Sequence, residues 1–209
     1  MMNTPQDNVI RLRNTYCARR SRKAIAISLM FLMVAGVSLL GLAASQRPAD
    51  GAAKRLAIHD RAPNGMFTTV HGDAMSISSL RGHPALVWFV VTWGCVSCDA
   101  STQSIAQHLA TFTAHHVRVV ELELAGDLGQ PGATMSQYRL AFGSAANSPD
   151  WIWGTASKQL TTTYDPVGVL DQYYLLNGSG RIVLTGRVPA SNISSLMAAV
   201  KKFSTSSTH

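Results

Sequence analysis

The residues best equipped for chemistry are Cys95 and Cys98, two of only three cysteines in 209 residues. A thiolate is the nucleophile of disulfide exchange, and a second thiol three residues on can resolve the mixed disulfide by intramolecular attack. Cys95-Val96-Ser97-Cys98 follows an apolar run and precedes a helical pattern. A helix N-terminus offers unpaired N–H groups and partial positive charge, which favour a thiolate. Cys95, nearer the helix end and more exposed, is expected to attack; Cys98, one turn deeper, to resolve. A structural zinc site needs four ligands, and the chain has no second CxxC and no HxxxH. A purely structural disulfide closing so short a loop removes little chain entropy. Neither a metal nor another cofactor is expected.

The elements that position this pair follow from the pattern. PALVWFVV (84–91) is a nearly continuous apolar run, expected to be a strand buried on both faces. Ile105, Leu109 and Phe112, with Ala106 and Ala110, predict an amphipathic helix over about 97–114. VRVVELEL (117–124) predicts a second strand, GDLGQPG a turn, and 134–146 a helix. A further helix is expected around 155–164, after Trp151 and Trp153. Strands at 172–176 and 181–185 flank Asn177-Gly178-Ser179-Gly180, a hairpin turn, and Ser191 to Phe203 is expected to be the closing helix. The sum is an α/β sandwich with parallel and antiparallel pairing.

On these residues the chain resembles the TlpA/ResA-like branch of the thioredoxin superfamily. The matching pieces are Ala62-Pro63, SISSLRGHP (76–84), ALVWFVV, TWGCVSC and YYLLNGSGRIV (173–183), over about 58–203. The resemblance implies a thioredoxin-like three-layer sandwich with a mixed sheet and an N-terminal hairpin extension. It also implies a redox-active Cys95/Cys98 pair in a protein held outside the cytoplasm. Many members act as reductases, for example in cytochrome c maturation. Three positions depart from the pattern. Gly94 separates Trp93 from Cys95, Val96-Ser97 replaces a dipeptide that usually contains proline, and Asp171 stands where a cis-proline normally faces the cysteines.

Several side chains are candidates for supporting roles. Trp93 either shields the pair and meets partners or simply packs. Glu121 and Glu123 share one strand face. A buried acid near the second cysteine often takes its proton in this superfamily, a role open to Glu123 or Asp127; the competing reading is an exposed face or turn. Asp171 would disfavour a thiolate or move protons for it, or else be a solvated loop residue. His115-His116 suit a helix C-terminus better than a metal site.

The net charge of +7 is unevenly placed. Residues 1–45 hold six Lys/Arg against Asp7, whereas 46–209 hold twelve against ten Asp/Glu. The folded part is nearly neutral, which argues against nucleic-acid binding. The basic residues 1–23 precede AIAISLMFLMVAGVSLLGLAA (24–44), which is long enough to span a bilayer with a cytoplasmic N-terminus. A cleaved signal is the alternative, since Gly41-Leu42-Ala43 offers small residues. Residues 45–57 are expected to be a linker, 58–203 the thioredoxin-like domain, and 204–209 a frayed tail. Cys17 falls on the cytoplasmic side of the span, apart from the other two.

The expected function is a membrane-anchored extracytoplasmic thiol–disulfide oxidoreductase, working as a reductase. Its expected partners are exported protein thiols and disulfides and a membrane electron donor. Rivals are a Sco-type copper-binding assembly protein, a peroxiredoxin-like peroxidase suggested by Thr92 three residues before Cys95, and a redox-inactive scaffold. The Sco type relies on CxxxC and a later histidine, and this chain has CxxC and no histidine between His116 and His209.

Overall fold

A computed structural model of the protein describes residues 55–205. The expectations for 1–23, 24–44, nearly all of 45–57 and the end of the tail lie outside the described residues. No helix among those described is long and apolar enough to cross a membrane.

The chain enters through a hairpin of β1 (Met66–Thr69) and β2 (Ala74–Ser76). Ser76 then caps the 3-10 turn Ile77–Leu80 through a reciprocal bond with Ser79. Next come β3 (Ala85–Val90) and α1 (Val96–Ala114), followed by β4 (Arg118–Glu123) and the short α2 (Met135–Arg139). β5 (Trp151–Ala156), α3 (Lys158–Tyr164), the hairpin of β6 (Gln172–Leu176) and β7 (Ile182–Arg187), and α4 (Ile193–Val200) complete the order.

The seven strands form one sheet in the order β2-β1-β5-β4-β3-β6-β7. β3, β4 and β5 run parallel, and the remaining pairs are antiparallel. Every residue of β3 is buried, as its apolar run requires of a strand covered on both faces. Period-2 alternation sends neighbouring side chains to opposite layers. Trp88 points to the α1 side, where it reaches Asp171, whereas Phe89 meets Tyr164 of α3 with ring centroids 5.2 Å apart. Ile105 and Phe112 of α1 and Leu196 and Val200 of α4 are fully buried. Each such aliphatic or aromatic side chain contributes about 1.5–3 kcal/mol by leaving water. The result is the expected thioredoxin-like three-layer arrangement with a mixed sheet.

Two local expectations fail. The segment expected to begin a helix at about 155 is still strand through Ala156, and the helix starts at Lys158 under a Ser157 cap. Trp151, Ile152, Trp153 and Thr155 suit a pleated surface, and pairing with β4 from Val119 onward fixes them there. The helix expected over 134–146 stops at Arg139 and continues as 3-10 turns over Leu140–Asn147, broken at Gly143 with φ 68°.

Candidate active site

The sheet delivers the cysteines to its carboxyl edge. β3 ends at Val90, four residues cross the edge, and α1 starts at Val96 with Cys95 as its N-cap. Gly94 takes φ +56°, a left-handed conformation that costs an L-residue strain. This explains the glycine inserted after Trp93: the chain must turn sharply to enter the helix.

Cys95 and Cys98 form a disulfide, with Cα atoms 5.2 Å apart. Cys95 keeps 6% of its surface exposed and Cys98 none. The backbone N–H of Cys98 donates to Cys95 Sγ at 3.2 Å, and the Ser97 hydroxyl lies 3.5 Å from the same sulfur. The helix N-terminus is thus aimed at the more accessible sulfur, an arrangement that stabilises negative charge there. Val96, between the cysteines, is 79% exposed.

A buried clamp holds the approach to Cys95. The Asp127 carboxylate accepts from the Thr92 N–H at 2.9 Å and contacts the Thr92 hydroxyl at 2.6 Å. Its backbone carbonyl accepts from Trp93 Nε1 at 2.7 Å. Asp127 reaches this position from three successive left-handed residues, Gly126, Asp127 and Leu128. Gly132 lies against the Asp127 carboxylate and the Thr92 hydroxyl so closely that a Cβ there would collide with both. Trp93 is half-buried and packs on the core, with its indole committed to this clamp.

Three acids behave differently from one another. Asp171 is fully buried, so the solvated-loop reading is overturned. Its carboxylate accepts from Trp88 Nε1 at 2.7 Å and Ser101 Oγ at 3.1 Å. Burial raises its carboxyl above the ordinary value, opposed by the Trp88, Ser97 and Ser101 side chains and by the Arg187 charge. A φ of +67° at Asp171 excludes proline, whose ring fixes φ near −65°. The departure from the family pattern is therefore one of backbone as well as side chain.

Glu121 is also fully buried, and its Oε1 accepts from Thr102 Oγ1 at 2.9 Å. Thr102 in turn contacts the Cys98 carbonyl at 2.9 Å. Glu121 Oε2 has no hydrogen-bond partner; the Trp151 indole approaches it and stabilises its charge without completing a bond. Desolvation holds this carboxyl well above the carboxylate range, with the Asp171 charge adding to the effect.

Glu123 has a different set of partners. It is half-buried, accepts from Thr155 Oγ1 at 3.0 Å, and lines a groove of about 580 Å³ with Asp127, Gly132 and Thr134. Burial, then the Asp127 charge, raises its carboxyl. The reason is geometric. Thr102, in the second turn of α1, meets Glu121 in the middle of β4, whereas Glu123 at the strand's end is paired with Thr155 of β5.

The structure therefore gathers Cys95, Cys98, Trp93 and Asp171, and leaves Glu123 to the groove. Trp88, Ser97, Ser101 and Thr102 join the site without having been singled out by spacing; Ser97 alone carried a signal, as a departure within CxxC. Among the described residues no three His, Cys, Asp or Glu side chains converge on a metal-sized site. The Thr92 hydroxyl that suggested a peroxidase is engaged by Asp127 and by the Ala133 carbonyl at 2.6 Å.

No family model matches the chain. It is 31% identical over 131 residues to the soluble secreted antigen MPT53 of Mycobacterium tuberculosis, covering 63% of this chain and 69% of that protein. The chain belongs to that protein's family, within the TlpA/ResA-like thiol–disulfide oxidoreductases of the thioredoxin superfamily. Solved structures agree on the fold of this family member. The thioredoxin domain of a thiol-disulfide oxidoreductase from Bacteroides vulgatus superposes with TM-score 0.52 at 18% identity, covering 71% of this chain and 98% of that one. Copper-bound ScoI of Bradyrhizobium japonicum superposes with TM-score 0.50 at 21% identity, over 69% and 99%. The fold alone thus accommodates both redox and copper chemistry, and the local site has to separate them.

Proposed function

We propose that the chain is a membrane-anchored extracytoplasmic thiol–disulfide oxidoreductase that reduces disulfides of exported proteins. The observation that carries this reading is the Cys95–Cys98 disulfide at the N-terminus of α1, with the Cys98 N–H donating to Cys95 Sγ. In the reduced protein the Cys95 thiolate attacks a target disulfide and expels one target thiolate. Cys98 then attacks Cys95 Sγ, restoring the intramolecular disulfide and releasing the second target thiolate. Two electrons pass from the cysteine pair to the target, and a membrane electron donor must return them. The secreted relative, the basic residues 1–23 and the apolar residues 24–44 support the extracytoplasmic anchored setting. Family resemblance favours the reductive direction, with disulfides of maturing cytochrome c as one substrate class.

The test is to equilibrate the full-length protein in graded thiol/disulfide buffers and count free Cys95 and Cys98 by peptide mass after alkylation. A reversible two-electron couple near or below about −250 mV supports a reductase, whereas one near about −120 mV marks an oxidant. Failure to form a reversible disulfide removes the proposal and brings copper binding forward. In a companion trap, Cys98→Ser should accumulate partners joined to Cys95. Equal trapping without Cys95 would refute the assignment of the attacking sulfur.

A further inference from the structure

Two of the departures from the family pattern, Ser97 and Asp171, meet in space. The Ser97 hydroxyl is 3.5 Å from Cys95 Sγ and, one helical turn before Ser101, lies near enough to the Asp171 carboxylate to favour its charged form without completing a hydrogen bond. That carboxylate is fixed from the far side by Trp88 Nε1 and Ser101 Oγ. Ser101 Oγ is itself oriented by the Ala190 N–H at 3.3 Å, and the Asp171 carbonyl accepts from the Val188 N–H at 2.8 Å. A buried acid is thereby held rigidly, one hydroxyl away from the accessible sulfur.

We propose that the Ser97 hydroxyl is a proton bridge between Cys95 Sγ and the Asp171 carboxylate, so that the Cys95 thiolate forms as Asp171 takes up a proton. The inference rests on the disulfide-exchange reading and deepens it. Ser97 touches the reacting atom, and Asp171 acts through it as a positioning residue. In the reduced protein the Cys95 proton passes to Ser97 Oγ while the Ser97 proton passes to Asp171. The thiolate attacks one sulfur of a target disulfide, whose electron pair leaves on the other sulfur. Cys98 loses its proton to water and attacks Cys95 Sγ, expelling the second target sulfur as thiolate. The two target thiolates take up two protons, one released from Asp171 and one from solvent.

Burial raises the Asp171 carboxyl above its ordinary value, toward the range in which a thiol titrates. The charged groups facing it are Arg187 on β7, which opposes the rise, and Glu121 on β4, which it in turn perturbs. Asp99 on α1 acts on Glu121, Cys98 shares the first turn of that helix, and its remaining titratable side chain, His108, lies over two turns further on against the Ser104 carbonyl. A thiol and an acid sharing one proton titrate as a pair, so thiolate character appears at the first of two macroscopic steps.

The test is the rate of Cys95 alkylation by iodoacetamide in the reduced full-length protein from pH 4 to 10, read by peptide mass to separate Cys95 from Cys17 and Cys98. The wild type should show two steps. Ser97→Ala and Asp171→Asn should each show one step and a rate at pH 7 lowered by up to about thirtyfold, since an unassisted thiol is already a few per cent thiolate there. The double variant should lose no more than either single variant, and Ser97→Thr should restore both steps. A two-step profile in Ser97→Ala, or additive losses in the double variant, would overturn the bridge. Should Asp171→Asn not fold, the Ser97→Ala and Ser97→Thr pair decides. Reversible disulfide formation with variant profiles identical to wild type sinks the bridge alone; absence of a reversible disulfide in the wild type sinks the underlying reading.

Discussion

Replacing Asp127 by alanine should destabilise the protein out of proportion to a loop position. The substitution removes a carboxylate that accepts from the buried Thr92 N–H at 2.9 Å. A hydrogen bond to a charged group contributes about 1.5–3 kcal/mol, and a buried donor left without a partner costs about 1–3 kcal/mol. The Thr92 hydroxyl loses less, because the Ala133 carbonyl remains 2.6 Å away. Residue 127 also sits at φ 50°, where alanine is less tolerated than aspartate. The expected loss is roughly 2–4 kcal/mol, which corresponds to a fall in Tm of roughly 5–15 °C for a domain of this size. Urea unfolding followed by tryptophan fluorescence, with the disulfide intact, reads it directly. Asp127→Asn should cost under about 1 kcal/mol: its carbonyl keeps the Thr92 N–H, and its amide donates to a hydroxyl free to donate to Ala133. Equal losses for alanine and asparagine, or a loss below about 0.5 kcal/mol for alanine, would refute the clamp as described.

Glycine at 94 and 132 is required for different reasons, and the variants should differ. Gly94→Ala meets nothing within 4 Å and should cost only the left-handed backbone penalty of about 1–2 kcal/mol, with Gly94→Asn milder. Gly132→Ala drives a methyl into Asp127 and Thr92 and should cost more than Gly94→Ala in the same urea titration; the reverse order would contradict the packing. For Glu121, the folded carboxyl lies above its unfolded value of 4.5, so the native state holds the proton that the unfolded state releases. Its contribution is therefore full below about pH 4.5 and declines as pH rises toward the folded value. Glu121→Gln removes that decline, so its unfolding midpoint should gain on the wild type between pH 5 and 8, and a pH-independent difference would argue against a buried neutral Glu121.

Local pattern alone accounts for several parts of the structure. Six consecutive buried residues in β3, the Ile105–Leu109–Phe112 stripe of α1 and the Asn177–Gly180 turn each carry their structure in their own spacing. The CxxC between strand and helix follows from the same spacing, as does the order of exposure of its two cysteines. β5 escaped because Trp-Ile-Trp-Gly-Thr-Ala is too short and too aromatic for its own periodicity to separate strand from helix; pairing with β4 made it a strand. The acids were beyond reach for a further reason. Glu121 and Glu123 look equivalent on one strand face, yet only the line of α1 across the sheet decides which one meets Thr102. Asp171 reads as a polar residue before a hairpin, and is a buried acid in the assembled layers, where Trp88, 83 residues earlier, and Ser101 donate to it. Local chemistry fixed where the sulfurs are, and long-range packing decided which charges surround them, because burial is a property of the assembled layers rather than of any segment.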